Sequence, residues 1–228
     1  IPLEQSIIPL SVLYIQNKTI FDKLLNIFLK SFPTFQKDQN LYIWTISMTN
    51  FLSNTENKNK DDDNNSTAKS IVGVLDKAFT DKHLSLSYKF DLINASLNYM
   101  PTKLSDDLLS SHCLRLLSLV SLSSSPNEIT TATNFAKTVL IHLKSKKIAN
   151  LTTDHLIDHV FKYIMPSYNT NPLFNASLTA FFDEVTKETL KSKIDEQISS
   201  ENISMSTLFL ISRYPTQETI PLLLTRQR

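Results

Sequence analysis

Two histidines four residues apart carry the sharpest chemical signal in this chain, in the run His155-Leu-Ile-Asp158-His159. On a helix, positions i and i+4 share a face, so both imidazoles could reach one zinc ion with the carboxylate beside them. Cys113 next to His112 has the residue types of a thiol nucleophile and its base. Adjacent helical residues point about 100° apart, however, so they cannot form a catalytic pair. Asp61, Asp62 and Asp63 offer carboxylates for Ca²⁺, without the alternating ligands, turn glycine and closing Glu of a calcium loop. Ser125-Pro126 fits a phosphorylation site at a helix start and fits equally well a helix cap followed by proline.

The order of the first run resembles the inverted H-x-x-E-H metalloprotease motif with Asp in place of Glu. That change shortens the base by a methylene, and no downstream helix presents a clear third ligand. On a helical wheel His155, Asp158, His159 and Lys162 form one polar face opposite Leu156, Ile157, Val160 and Ile164. The Lys162 ammonium would repel a cation there. The run therefore reads as a solvated face, and Cys113 as part of an apolar arc. No catalytic, cofactor-binding or metal-ligating residue is assigned, no cofactor is implied, and the chain is expected not to be an enzyme.

Composition narrows the classes further. The 228 residues contain a single glycine, Gly73. Nucleotide-binding turns, tight hairpins and doubly wound sheets all use glycine for positive φ or close backbone approach, so an all-helical fold is expected. A net charge of +1, from 23 basic and 22 acidic residues spread along the chain, argues against nucleic acid as the main partner. One cysteine excludes an internal disulfide, which fits an intracellular, reducing compartment. Asn-X-Ser/Thr triplets at Asn17, Asn64, Asn65, Asn94, Asn150, Asn175 and Asn202 follow from the abundance of these residues. Asn94 and Asn175 also fall in expected helices, so the chain is not read as secreted. No stretch approaches the roughly 20 apolar residues of a membrane span. Ile7–Ile15 is too short and unflanked for a signal peptide, although peripheral membrane contact stays open. The start at Ile1 rather than Met suggests a fragment of something longer.

The elements that would position these residues follow from apolar spacing and punctuation. Helices are expected near the N-terminus after Pro2 or Pro9, over Lys18–Phe32, and over Asn40–Ser53 with Trp44 as a core anchor. Asn54–Ser66 (NTENKNKDDDNNS) has no hydrophobic residue and reads as a flexible acidic and polar loop. Thr67–Phe79 resumes as helix with Gly73 a weak point in it. Lys82–Met100 then carries one stripe of Leu86, Phe90, Ile93, Leu97 and Met100. A second stripe, Leu84, Tyr88, Leu92, Ala95 and Tyr99, lies almost opposite and suggests an interior helix packed on two sides.

Ser105, followed by Asp106 and Asp107, reads as the N-cap of a helix reaching about Leu122. Its inward arc is Leu108, Leu109, Cys113, Leu116, Leu117, Leu119 and Val120. Pro126 and Glu128 open a helix to about Lys147, in which Ala132 and Ala136 would let a neighbour come close. Lys144, Lys146 and Lys147 sit where the helix dipole favours cations. Thr152/Thr153–Met165 follows, then Pro172–Glu184 and Thr186–Ser199 as one long or two short helices, and Asn202–Tyr214. Thr216–Arg226 is a last, Pro221-interrupted helix.

Helices stop at Phe32-Pro33-Thr34, Met100-Pro101-Thr102, Met165-Pro166-Ser167 and Tyr214-Pro215-Thr216, at unequal intervals. This succession of about ten helices resembles in architecture an α-solenoid of the HEAT or armadillo kind, where helix pairs recur every ~40–47 residues. The expectation is thus a single helical-repeat-like domain over 1–228, acting as a non-enzymatic scaffold or adaptor that binds other proteins. The alternative is a helical subunit of an enzyme or of a membrane-trafficking complex with dispersed functional residues. Solenoid ends expose apolar surface, so Ile220, Leu222, Leu223 and Leu224 are the expected partner-binding residues, with Ile7–Leu13 a second such end.

Overall fold

Helix is the only regular element among the described residues, 75% of which are helical. This is the all-α class expected from a single glycine and ~3.6-residue apolar spacing. The computed structural model describes residues 72–73, 75–82, 84–99, 102–167, 171–199 and 203–221. The helices expected at Lys18–Phe32 and Asn40–Ser53, the polar loop Asn54–Ser66, and Leu222, Leu223 and Leu224 lie outside them. After a helical stretch over 75–80 come α1 (Leu86–Tyr99), α2 (Thr102–Leu117), α3 (Pro126–Ser145) and α4 (Thr153–His159). α4 runs straight into a π-helical turn, Val160–Ile164, and a 3₁₀ turn, Met165–Ser167. α5 (Pro172–Phe182), α6 (Lys187–Ile198) and α7 (Met205–Arg213) complete the order. The chain divides into two compact units, residues 1–116 with 148–150 and residues 117–147 with 151–228.

In the first unit, α1 opens on Ser85, whose hydroxyl accepts the Tyr88 N–H at 3.3 Å. Leu92 and Ile93, one from each expected stripe, are 1% and 0% exposed. Burial is nevertheless joined across one side of the helix rather than split between two separate faces. Lys89 and Ser96, on the polar strip between the two stripes, are also buried, whereas Asp91 on the other side is exposed. At 100° per residue the buried positions Leu92, Ser96, Lys89, Ile93 and Phe90 fill one arc of about 160°. The apolar flanks on either side carry the polar middle of the arc, Lys89 and Ser96, inward with them. Burial lowers the Lys89 ammonium pKa below its ordinary value, partly offset by Asp81 and reinforced by Arg115.

The N-cap expected at Ser105 is corrected: α2 starts directly after Pro101, and Ser105 lies inside it, 2% exposed. A proline just before the first turn suits a helix start, and burial of the next turn outweighs the local cap. Leu108, Leu109, Cys113, Leu116 and Leu117 form the expected buried arc. The helix ends at Leu117 rather than near Leu122. Val120 is buried, but Leu119 is 48% and Leu122 78% exposed. The serine-rich run that follows favours turns over another helical turn.

In the second unit, α3 begins with a capping box. Ser125 Oγ accepts the Glu128 N–H at 3.2 Å, and a Glu128 carboxylate oxygen accepts the Ser125 N–H at 2.8 Å. Ala132 and Ala136 are fully buried on the face that also carries Phe135, Val139 and Leu140. α3 packs most extensively against α5, whose Phe174, Leu178, Phe181 and Phe182 are buried. Phe161 meets Phe182 edge-on at 5.5 Å between centroids. α5 and α6 are two helices, separated by a turn at Asp183–Val185 and restarted by Thr186, whose hydroxyl accepts the Thr189 N–H at 3.3 Å. The helix expected to stop at Met165-Pro166 instead loosens to π geometry and closes in a 3₁₀ turn that includes Pro166.

Long-range polar pairs mark the directions of these helices. Lys144, in the last turn of α3, meets Glu184 just past α5 at 2.7 Å. Tyr214, just past α7, donates its hydroxyl to Asp183 at 2.6 Å. The C-terminal ends of α3, α5 and α7 therefore gather at one edge of the unit. Lys193 of α6 reaches Asp158 at the end of α4 at 2.6 Å.

Candidate functional site

Most of the residues that looked chemical in sequence are held by neighbours within the described residues. His155 is exposed and its carbonyl accepts a bond from His159 Nδ1 at 2.9 Å. Asp158 is held by Lys193, which also binds Glu196 at 3.0 Å, and both hydrogen bonds raise the Lys193 ammonium pKa. Lys162 lies 5.2 Å from the centroid of the Tyr163 ring. Among the described residues no group of three His, Cys, Asp or Glu side chains is placed to hold a metal ion. Cys113 is fully buried, and desolvation pushes its thiol far above the ordinary range, away from the nucleophilic thiolate. His112 turns elsewhere, donating from Nε2 to Asp76 at 2.7 Å and lying 4.9 Å from Phe79 ring to ring.

What the second unit does assemble is an edge. The turn Met165–Ser167 is its hub. Ser167 Oγ donates to the Ser121 carbonyl, just before α3, at 3.2 Å. The chain then needs only a few residues to reach Asn171, whose side chain caps α5 through the Leu173 N–H at 2.9 Å. Met165 and Pro166 also line a cleft of about 180 Å³ with Phe161, Gln197, and Ser204, Ser206 and Thr207 at the start of α7. The N-terminal ends of α3, α5 and α7 thus converge opposite the edge that holds their C-terminal ends.

Each of these three ends presents one large apolar side chain to water. Leu122 precedes α3 and is 78% exposed, Leu173 in the first turn of α5 is 72% exposed, and Met205 at the start of α7 is 67% exposed. A lone exposed leucine is ordinary, but one large apolar side chain at each of three like-directed helix starts of one unit is the pattern of a contact surface. The cleft beside the row is neutral. Ser204 shares hydrogen bonds with Ser206 at 2.7 Å and Thr207 at 2.8 Å, and Phe161, Met165 and Pro166 supply the apolar wall. Its volume is below the ~300 Å³ at which pockets for whole small molecules begin, and suits a single inserted side chain.

Of the expected partner-binding residues, Ile220 is 45% exposed and follows the C-terminal end of α7, away from this row. Leu222, Leu223 and Leu224 lie outside the described residues. The sequence reading passed over Leu122, Leu173 and Met205. The signal that could have marked them is an apolar residue beside a cap, off the stripe that continues along its helix. No family model, curated protein or solved structure matches this chain.

Proposed function

We propose that this chain is a non-enzymatic scaffold, an α-solenoid of the HEAT or armadillo kind, that holds a protein partner along the edge formed by the N-terminal ends of α3, α5 and α7. The observation that carries this reading is the exposure of Leu122, Leu173 and Met205, one at each of these three helix starts. The partner contributes a segment with apolar side chains that cover the row, one of them entering the neutral cleft beside Met165 and Thr207. The like-directed helices α3, α5 and α7 support solenoid organisation. α3 and α5 start 46 residues apart, within the ~40–47-residue period of helix-pair repeats, and α7 starts 33 residues later, in a shorter unit.

The test replaces Leu122, Leu173 and Met205 together by Ser and compares the variant with Ile141→Ser, exposed on the body of α3. Proteins recovered from the source cell would be identified by mass spectrometry, and one recovered partner purified and titrated against each variant. The expected result is a folded triple variant, each site within about 0.5 kcal/mol of neutral, whose affinity for that partner is reduced at least tenfold while Ile141→Ser binds normally. Equal binding by both variants would refute the edge as the docking surface.

A further inference from the structure

We propose that Ser125 is the phosphoacceptor of a proline-directed protein kinase. Of the nine prolines in the chain, Pro126 alone follows a serine or threonine, so the pattern such kinases read occurs once. The structure makes that one site reachable. Ser125 is exposed, and so are Ser121, Leu122 and Ser123 before it and Pro126 and Asn127 after it. Its backbone is extended, with φ −64° and ψ 153°, the form in which a kinase cleft holds an acceptor strand. On the N-terminal side the turn is closed by Ser124 N–H to the Ser121 carbonyl at 2.9 Å and is tied to the rest of the unit at Ser121, four residues before the acceptor, by Ser167. On the C-terminal side the first residue anchored in the core is Ile129, 3% exposed. The segment Pro126–Glu128 can therefore fray into a cleft without uncovering apolar core.

The step is a phosphoryl transfer from a nucleoside triphosphate. Ser125 Oγ attacks the γ-phosphorus and its proton passes to the kinase base. The new Oγ–P bond forms as the bond to the β,γ-bridging oxygen breaks, and the nucleoside diphosphate leaves. The product puts a charge of about −1.5 to −2 on the residue that caps α3. In the unmodified chain Ser125 Oγ accepts the Glu128 N–H and the Glu128 carboxylate accepts the Ser125 N–H. A phosphate there accepts the Glu128 N–H in place of the hydroxyl and meets the positive end of the helix dipole. It also repels the Glu128 carboxylate, which must leave the Ser125 N–H. Phosphorylation thus exchanges a carboxylate cap for a phosphate cap.

The experiment incubates the folded chain with a purified proline-directed kinase and ATP, and reads intact mass and fragment spectra. One phosphate, on Ser125, is expected. It should be lost in both Ser125→Ala and Pro126→Ala and kept in Ser123→Ala, with circular dichroism confirming that each variant is folded. An unmodified native chain alongside a fully phosphorylated peptide of residues 118–132 would overturn the proposal, as would a phosphate placed on another serine. The cap exchange has its own readout: phosphorylation should raise the melting temperature more in Glu128→Gln than in the wild type. An equal shift in both would refute the displacement of Glu128.

Discussion

Truncating the two adjacent residues Leu92 and Ile93 of α1 to alanine tests the breadth of its buried arc. They are 1% and 0% exposed, so each truncation removes three carbons from a fully covered position. At ~0.8 kcal/mol per buried carbon the transfer loss is about 2.4 kcal/mol. Incomplete collapse of the resulting cavity adds to this, which puts each variant in the range of about 2–4 kcal/mol. Asp91, immediately before them, is exposed, and Asp91→Ala should stay within about 0.5 kcal/mol. Urea unfolding of the full chain followed by circular dichroism measures all three. Because Leu92 and Ile93 lie about 100° apart on one arc, the double variant can share a cavity and cost less than the sum. A helix with one narrow stripe would bury only one of the two. A cost under about 0.5 kcal/mol for Leu92→Ala, with Ile93→Ala strongly destabilising, is the result that refutes the broad arc.

Two further outcomes follow from local geometry. Gly73 lies in helical backbone, and a Cβ built on it meets nothing within 4 Å, so Gly73→Ala should stabilise the protein by about 0.5–1 kcal/mol in thermal melts; a lower melting temperature would contradict this. Lys89→Met should change the pH profile of stability. Because burial lowers the folded-state pKa of Lys89 below its ordinary 10.5, the unfolded chain holds the extra proton between the two values. Wild-type stability should therefore gain as pH rises through that window, relative to Lys89→Met, which lacks the group. Urea midpoints taken from pH 7 to 10.5 check this, and parallel profiles for the two proteins would count against it.

Helix class and most helix starts were legible in the sequence, because the signals that set them act within a single turn. Ser125 and Glu128 form a capping box four residues long with Pro126 inside it, and α3 starts where they place it. Pro172 and Thr186 likewise stand at or beside the starts of α5 and α6. The same local logic failed at Ser105, a good cap in isolation, because the helix had already begun after Pro101 and the next turn was buried. It failed again on α1, where apolar spacing marked both stripes but could not say which polar strip goes in with them. That choice placed Lys89 and Ser96 inside and Asp91 outside, and it depends on what covers the helix rather than on the helix itself. The row of Leu122, Leu173 and Met205 was illegible for the same reason. Those residues stand in three separate helix starts, and nothing within a turn of any one of them refers to the others. They share an edge because α3, α5 and α7 run in the same direction, which pairs far apart in sequence record: Ser121 with Ser167, Lys144 with Glu184 and Asp183 with Tyr214. Local hydrogen bonding and apolar period determine where each helix begins and which arc it can bury. Only packing over tens of residues decides which exposed ends become neighbours.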